Sequence, residues 1–303
     1  MKDLISIKDL STKEVEEIFA LTDDLKKNPA KYANLLKGKT LALIFQKPSN
    51  RTRVSFQVGM YQLGGNCIYL RPDEINLGVR ESIKDVAMTL SRFIDAIVLR
   101  TFEHKNVLEL AENSDKPVIN GLSDFSHPCQ ALADVYTARE KFKKIKGVKL
   151  AYVGDGNNVC NSLLYACAKA GMDMSVGCPK GYEPQVFNEA KDLGKGKCNL
   201  SLFNTAQEAV KDADVIYTDV WASMGQEAEA LERKKIFQDF QVNAKLVGLA
   251  KKNALIMHCL PAHRGEEITA EVIDSKNSVV FDEAENRMHV QKAVLIKLLG
   301  AKK

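Results

Sequence analysis

Residues 40–53 read TLALIFQKPSNRTR, an apolar run that leads into a polar and basic turn. The apolar part, 40–45, predicts a buried strand because it is short, largely aliphatic and followed by a turn. Val54, Val58 and Tyr61 then recur at helical spacing, which predicts a helix after the turn with these side chains on one face. A strand, a turn and a helix in this order form the repeating unit of parallel α/β folds.

Short apolar runs and helical stretches alternate along the whole chain, and each run predicts a strand of a parallel sheet. The expected strands lie at 40–45, 66–70, 94–99 and 118–120 and, after a long helix over 129–142, at 148–153, 174–176, 215–218, 254–258 and 279–281. A last helix is expected over 285–299 and ends at Gly300.

This pattern predicts an α/β fold of two doubly wound parallel-sheet domains with the active site in the cleft between them. We expect a first domain of residues 1–134, on which a C-terminal helix over 287–303 packs back, and a second domain of residues 135–286. A chain of 303 residues is long enough to form two cores.

The composition excludes several classes of protein. The net charge of +4 comes from mixed acidic and basic residues without a block of like charges, which argues against a nucleic-acid surface. No run approaches the roughly 18 apolar residues of a membrane span, and the N-terminus lacks a signal peptide, so a cytoplasmic location is expected. The seven cysteines include no C-x-x-C pair, which argues against a disulfide framework and a thiolate zinc site.

The segment from Ser49 to Arg53 has the features of an anion site at a helix start. Ser49 is a suitable N-cap, and the free N–H groups and positive end of the helix dipole favour an anion there. Two arginines add donors that match phosphate oxygens. The alternative is a capped helix whose arginines are only solvated.

Two more strand ends supply polar residues to the same edge of the first sheet. Arg100 follows the strand at 94–99, and His127 and Gln130 follow the strand at 118–120. Open α/β sheets bind ligands at the carboxyl ends of their strands, so a common site is expected. A neutral His127 or Gln130 there can donate to a carbonyl oxygen, although a structural role for His127 stays open.

In the second series, Gly154-Asp155-Gly156 begins like a dinucleotide-binding turn, but Val159 stands where the third glycine belongs. No acidic residue follows the next strand, so a nicotinamide enzyme is disfavoured. Asn157 and Asn158 are instead expected to face the cleft. Asp219, after the strand at 215–218, is a candidate partner for an amino group, whereas Trp221 is expected to pack.

Cys259 lies between His258 and Leu260, at the end of the strand predicted over 254–258. Because neighbouring residues on a strand point to opposite faces, His258 is poorly placed as a base for Cys259. We therefore favour Cys259 as a contact residue over a covalent nucleophile. The pair His258 and His263 is a weak metal signal, so no metal site is predicted.

Taken together, these motifs resemble the aspartate and ornithine carbamoyltransferase family. The family's phosphate motif S-T-R-T-R corresponds to Ser49-Asn50-Arg51-Thr52-Arg53, and its H-P-x-Q motif to His127-Pro128-Cys129-Gln130. Asp219 with Ser223-Met224-Gly225, and His258-Cys259-Leu260-Pro261, resemble the ornithine branch. Asn50 departs from the threonine usual in the family, which puts fine affinity in doubt.

The resemblance implies transfer of a carbamoyl group from carbamoyl phosphate to the side-chain amine of L-ornithine, giving L-citrulline and phosphate in arginine metabolism. It implies no metal or organic cofactor, and a homotrimer or a multiple of trimers. Alternatives are another amine, such as putrescine or an acylated ornithine, and a non-catalytic anion-binding subunit. The retained Arg51, Arg100 and His127 argue against the last.

The resemblance also implies roles for individual residues. The catalytic residues are Arg100, His127 and Cys259. Carbamoyl phosphate is bound by these three and by Ser49, Asn50, Arg51, Thr52, Asn76, Pro128, Cys129, Gln130, Leu260 and Arg287, of which Asn76 reaches a neighbouring subunit's site. Ornithine is bound by Asn158, Asp219, Ser223 and Met224.

Overall fold

Parallel strands form the centre of each half of this chain, and the central ones are buried along nearly all their length. The structure, a computed structural model, describes residues 1–222 and 229–300. The strands are β1 (Thr40–Phe45), β2 (Asn66–Leu70), β3 (Ala96–Arg100), β4 (Val118–Leu122), β5 (Lys149–Val153), β6 (Asp173–Gly177), β7 (Leu200–Phe203), β8 (Val215–Thr218) and β9 (Leu255–His258).

Helices connect most of these strands, as parallel neighbours require. They are α1 (Thr12–Lys27), α2 (Asn50–Gln62), α3 (Pro72–Ile75), α4 (Ile83–Leu90), α5 (His104–Asn113), α6 (Pro128–Phe142), α7 (Asn158–Ala170), α8 (Phe187–Gly194), α9 (Ala206–Val210), α10 (Ala230–Phe237), α11 (Ala244–Val247), α12 (Ala270–Ile273) and α13 (Val280–Leu299). Short 3-10 helices lie at Ile7–Asp9, Pro29–Tyr32 and Gln238–Phe240. None of the described helices is both long enough and apolar enough to cross a membrane.

The chain divides into two compact units, of which the first combines Met1–Ala133 with Glu285–Lys303. Its sheet has the order β2-β1-β3-β4, and all neighbouring strands are parallel. The chain runs outward from β1 to β2 and then returns past β1 to β3. This reversal leaves a crevice at the carboxyl ends of β1 and β3, the place where such sheets bind ligands.

The second unit comprises Asp134–Ala284 and has the sheet order β7-β6-β5-β8-β9, again with parallel neighbours. The strand order reverses between β5 and β8. Ile216, Ile256 and Phe237 belong to the core that packs on one face of this sheet. The prediction of two doubly wound parallel sheets is therefore confirmed.

Two local predictions were wrong. The segment at 279–281 is no strand: Val279 N–H donates to Ile256 O at 2.9 Å, and α13 begins at the next residue, with Asp282 and Glu283 in its first turn. The strand β7 was missed, because it is a four-residue edge strand that is only partly buried. The helix predicted after the turn is present as α2, and Val54, Val58 and Tyr61 lie on its exposed side, with exposed fractions of 54%, 37% and 80%.

Glu283 and Asp134 form a buried pair of acidic side chains in the second unit, exposed by 1% and 0%. The two carboxyl groups are hydrogen-bonded to each other. Glu283 also accepts hydrogen bonds from the His258 N–H at 3.0 Å and from the Tyr217 hydroxyl at 3.3 Å. Burial and the Asp134 charge raise the pKa of Glu283 well above its ordinary value. The pair therefore holds one proton while fixing the ends of β8 and β9.

The shared proton makes the stability of the protein depend on pH. Above about pH 5 the unfolded chain has lost this proton while the folded chain keeps it, so the free energy of unfolding falls with rising pH, by up to about 1.4 kcal/mol per pH unit. We expect Glu283→Gln, whose amide donates permanently, to flatten this fall. Urea denaturation followed by circular dichroism across pH 5.5 to 8 measures it. Glu271→Gln, at an exposed position of α12, is the control that keeps the wild-type slope. Equal slopes for wild type and Glu283→Gln would contradict the shared proton.

Candidate active site

Ser49 starts α2 at the carboxyl edge of the first sheet, immediately beyond β1. Its backbone is extended, with φ −162° and ψ 113°, and its Oγ accepts a hydrogen bond from the Thr52 N–H at 3.3 Å. The structure thus confirms the predicted N-cap. The first turn of α2 presents N–H groups at the positive end of the helix dipole, which is a favourable place for phosphate. In this turn Arg51 is half-buried and Asn50 is exposed.

A buried cluster of basic side chains lies beside this turn. Arg287, on α13, donates from Nη2 to Thr52 Oγ1 at 2.9 Å, and Arg100 ends β3, where it is paired in register with Phe45 of β1. Arg287 and Arg100 are exposed by only 4% and 5%. Arg287 Nε is buried without a hydrogen-bond partner among the described residues. A buried guanidinium with an unused donor suits an oxygen-rich anionic ligand.

His127 belongs to the same cluster and is exposed by 4%. Burial, followed by the positive charges of Arg287 and Arg100, lowers the pKa of His127 well below its ordinary value. The imidazole is therefore neutral near pH 7. A neutral ring that donates one N–H can polarise a carbonyl without adding a further charge to two guanidiniums.

The residues after His127 begin α6 and are buried. Gln130 is exposed by 1%, and its backbone N–H donates to His127 O at 3.1 Å. Cys129 is fully buried, and burial raises the pKa of its thiol to about 12. The Cys129 side chain therefore packs in the core, and Cys129 is suited to meet a ligand only through its backbone. Asn76 ends α3 in the left-handed region, with φ 41°, and is exposed.

Arg53, the second arginine of the Ser49 to Arg53 segment, contacts other side chains of the first unit. Arg53 is exposed, lies over the Tyr69 ring at 3.9 Å from the ring centre, and donates to Gln57 Oε1 at 3.2 Å. A stacked guanidinium of this kind is a cation–π contact. The expectation that both arginines face one anion site is thus wrong for Arg53, which is held by Tyr69 and Gln57.

In the second unit, three adjacent strand ends converge on Asp219. Its Oδ2 accepts from the Asn157 amide at 2.8 Å, and its Oδ1 accepts from the Cys259 thiol at 3.0 Å and from the Val220 N–H at 2.8 Å. Asn157 is also the N-cap of α7, its Oδ1 accepting from the N–H groups of Val159 and Cys160. Asn158 follows it in the first turn and is exposed by 9%. These residues lie at the reversal point between β5 and β8.

Cys259 is held as a thiol, not a thiolate. Partial burial and the Asp219 carboxylate raise its pKa well above the ordinary value. His258 does not face it as a base: His258 Nδ1 accepts from the Leu260 N–H at 2.9 Å, and Nε2 lies 3.0 Å from Glu267 Oε1. The proton of this imidazole is therefore on Nε2. The geometry agrees with Cys259 as a contact residue and not a nucleophile.

Leu260 has a φ of 57°, which is uncommon for a residue with a side chain of this size. Its hydrogen bond to His258 and the pairing of His258 with Glu267, both fully buried, hold this conformation. Glu267 Oε1 also accepts from the His263 N–H at 2.6 Å. These bonds hold the backbone at Leu260 and His263, and the resemblance assigns Leu260 to the site.

Two groups of side chains in the described part of the chain have the atoms of a metal site within 4.8 Å of one another. The first is Asp219 with His258 and Cys259, and the second is His263 with Glu266 and Glu267. In the first group both nitrogens of His258 already have partners, and in the second Glu267 holds His258. A metal at either place would compete with these bonds.

Arg233 belongs to no motif and was not predicted from the sequence. It is exposed by 8%, and its Nη1 donates to Asp155 Oδ2 at 2.8 Å and to Trp221 O at 3.0 Å, while Nε donates to Glu229 Oε2 at 3.0 Å. Arg233 therefore hydrogen-bonds to Trp221 and to Glu229, the two residues that flank the segment 222–228. Ser223 and Met224, predicted to bind ornithine, lie outside the described residues. Trp221 packs in the core, as expected.

Comparison with known proteins agrees with this arrangement. Residues 2–140 match the family model described as "Aspartate/ornithine carbamoyltransferase, carbamoyl-P binding domain", and residues 146–298 match "Aspartate/ornithine carbamoyltransferase, Asp/Orn binding domain". An ornithine carbamoyltransferase of Pyrococcus horikoshii is 56% identical over 307 residues, covering 100% of this chain and 97% of the relative. One of Pyrococcus furiosus, named anabolic, is 55% identical over 304 residues, covering 99% and 96%.

A solved structure of ornithine carbamoyltransferase from Pyrococcus furiosus superposes on the chain with a TM-score of 0.96 at 54% sequence identity, covering 100% of this chain and 98% of that one. The two family models together span nearly the whole sequence, and the polar residues lie where each sheet reverses its strand order. On these grounds the chain belongs to the aspartate/ornithine carbamoyltransferase family.

Proposed function

We propose that this protein transfers the carbamoyl group of carbamoyl phosphate to the side-chain amine of L-ornithine, producing L-citrulline and phosphate. The observation that carries the proposal is the buried cluster of Arg287, Arg100, neutral His127 and Thr52 beside the start of α2. Full-length relatives that are named ornithine carbamoyltransferases support ornithine as the acceptor. The anabolic name of one relative supports a role in arginine biosynthesis.

In the first unit, we assign the phosphate group to Ser49, Asn50, Arg51 and Thr52. The N–H groups of the first turn of α2 and the Arg51 guanidinium offset its charge. Thr52, Arg100 and His127 are proposed to donate to the carbonyl oxygen, which gains negative charge as the amine attacks. Gln130 and Arg287 surround the carbamoyl nitrogen and oxygen, and Pro128 and Cys129 contribute backbone groups. Asn76 is proposed to complete the site of a neighbouring subunit.

In the second unit, we assign ornithine to Asn158, Asp219, Ser223 and Met224. Asp219 offers a carboxylate to the α-amino group, and its three hydrogen bonds fix its position. Cys259 and the Leu260 carbonyl are proposed to contact the carbamoyl group. No metal or organic cofactor is needed, because phosphate is already a good leaving group and the protein supplies charge and alignment.

The attacking amine must lose a proton, since an unperturbed amine of this kind has a pKa of about 10.4. Cys259 is a poor acceptor because its own thiol is protonated and bonded to Asp219. For Cys259 to take a proton, Asp219 would first have to take the thiol proton. This favours the departing phosphate as the acceptor.

The exposed side of α2 supports a homotrimer or a multiple of trimers. Val54, Val58 and Tyr61 on α2 and Ile68 on β2 are apolar and exposed by 37% to 80%. Exposed apolar patches of this kind are typical of subunit interfaces. We also propose a cytoplasmic location, which the seven free cysteines support because thiols stay reduced in reducing compartments.

The amine acceptor is tested by measuring the carbamoylated product with ornithine, putrescine, aspartate and N-acetylornithine in parallel. We expect ornithine to be used at least a hundredfold more efficiently than the others.

The phosphate site is tested by Arg51→Ala. This change should lower kcat/KM for carbamoyl phosphate by about 10² to 10³-fold, since it removes a charged donor to the phosphate. Arg92→Ala, at an exposed position of the same unit, is the matched control and keeps the wild-type value. In the acceptor assay, product formation with putrescine but not with ornithine would overturn the assignment of ornithine as the acceptor.

The state of Cys259 is tested by substitution and alkylation. We expect Cys259→Ser, which keeps a donor to Asp219, to retain activity within about tenfold, whereas a covalent nucleophile would lose nearly all of it. Because the thiol pKa is raised, iodoacetamide should modify Cys259 slowly at pH 7 and faster as the pH rises. Mass spectrometry of the peptide containing Cys259 measures the modified fraction over time. Fast modification at pH 7 would show a thiolate instead.

The assembly is tested at Val58. A carboxylate in an apolar interface is costly to desolvate, so Val58→Asp should dissociate the trimer at micromolar concentrations. Light scattering coupled to size-exclusion chromatography reports the molar mass. Leu249→Asp, an exposed apolar position in the second unit, is the control and should leave the mass unchanged. If Val58→Asp has the same mass as wild type, this face of α2 is no interface.

A further inference from the structure

The segments that follow β3 and β4 run side by side in the first unit, and each carries a residue of the buried basic cluster. Arg100 ends β3, and His127 lies between β4 and α6. Backbone hydrogen bonds join the two segments, among them that from the Asp124 N–H to Phe102 O at 2.9 Å. The position of the His127 imidazole therefore depends on how these segments are held together.

His104 adds a side-chain link between the two segments. It begins α5, and its backbone N–H donates to Asp124 Oδ1 at 2.8 Å. Its ring Nδ1 lies 2.8 Å from Ser123 Oγ, and the ring packs on Phe125 with 5.1 Å between the ring centres. The imidazole is half-buried, whereas Ser123 is fully buried. His104 therefore reaches from the start of α5 into the turn that precedes His127.

Residues 123–126 form a closed turn immediately before His127. The Ser123 N–H donates to Ser126 O at 2.9 Å, and the Ser126 N–H donates to Ser123 Oγ at 3.2 Å. On the other side, His127 O accepts from the Gln130 N–H at 3.1 Å in the first turn of α6. His127 is thus held between this closed turn and α6, so a shift of the turn moves its imidazole.

The Ser123 hydroxyl donates to His104. Its oxygen accepts from the Ser126 N–H, and for its proton His104 Nδ1 at 2.8 Å is a nearer acceptor than Ser126 O at 3.4 Å. Burial lowers the pKa of His104, while the carboxylates of Asp124 and Asp9 oppose this, so the imidazole is neutral near pH 7. A neutral ring has one nitrogen that accepts, and here it is Nδ1.

A purely structural role explains the ring of His104 but not its nitrogen. A phenylalanine would pack on Phe125 equally well, and backbone hydrogen bonds already join the two segments. The hydrogen bond at Nδ1 is what a phenylalanine lacks. It acts on Ser123, the residue that closes the turn before His127.

We propose that His104 is a positioning residue that, through Ser123, holds His127 in line with the carbonyl oxygen of the substrate. The inference rests on the proposed function, in which His127 polarises this carbonyl. A displacement of about 1 Å costs a donor of this kind up to about 10²-fold in rate, because its charge stabilisation is needed in the transition state. Loss of the His104 nitrogen therefore lowers kcat, whereas binding of carbamoyl phosphate at the start of α2 changes little.

The test compares two substitutions at His104 in the full-length chain. His104→Phe keeps a ring against Phe125 and removes the nitrogen, whereas His104→Asn places an amide where Nδ1 lies. We expect His104→Phe to lower kcat for citrulline formation by about tenfold or more, with KM for carbamoyl phosphate within about threefold of wild type. His104→Asn should recover kcat to within about threefold of wild type. Leu108→Phe, at an exposed position of the same helix, is the matched control and keeps the wild-type kcat.

A double-mutant cycle tests whether His104 acts through Ser123. Ser123→Ala should lower kcat to a similar extent, and adding His104→Phe to it should lower kcat no further. Full additivity of the two losses would overturn the proposal. Ser123→Ala also provides the kinetic test if His104→Phe does not fold, which circular dichroism checks.

A second readout does not depend on activity. The chain has five histidines, so labelling their Cε1 atoms with ¹³C gives five cross-peaks in an NMR spectrum, and His127→Gln identifies that of His127. We expect His104→Phe to shift the His127 cross-peak and His104→Asn to restore it. A wild-type kcat in His104→Phe, an equal loss of kcat in both His104 variants, or an unmoved His127 cross-peak would contradict the positioning role. Absence of citrulline formation by the wild type would concern the proposed reaction, and the cross-peaks would still decide whether His104 positions His127.

Discussion

Two buried guanidinium groups act on one buried imidazole, and this arrangement is the central constraint of the first unit. Arg100 and Arg287 come from a strand end and from the last helix, and each is almost fully buried. Buried positive charges favour an anionic ligand, which agrees with the phosphate-bearing substrate that we propose. The same charges keep His127 neutral. One electrostatic arrangement therefore accounts both for anion binding and for a donor suited to a carbonyl oxygen.

In the second unit, the main constraint is the fixed position of one carboxylate. Asp219 is fastened by an amide, a thiol and a backbone N–H from three strand ends. Behind it, the shared proton of Asp134 and Glu283 and the pairing of His258 with Glu267 hold β8 and β9. Preorganised groups of this kind lower the cost of aligning an amine, because little reorganisation is needed when it binds.

The sequence was sufficient to predict what depends on local pattern. Apolar runs located most strands, and the strand ends located Ser49, Arg100 and Asp219, because parallel strands present their carboxyl ends at one edge. It failed where two patterns look alike: 279–281 is apolar and β-branched, yet its residues start a helix. It also could not find the partners of Arg233, since the ion pair with Asp155 joins residues 78 apart. Such contacts arise from tertiary packing, which no local spacing encodes. The family resemblance, not the pattern, pointed to Arg287.

The first unit is assembled from both ends of the chain, and this has a consequence for its synthesis. Arg287 reaches Thr52 from α13, so the hydrogen bond between them joins residues 235 apart. Chains fold from the N-terminus as they leave the ribosome. A nascent chain can form the start of α2 and the end of β3 early, but it lacks Arg287 until the whole of the second unit has been synthesised. A chain that stops within the second unit therefore lacks the guanidinium that donates to Thr52.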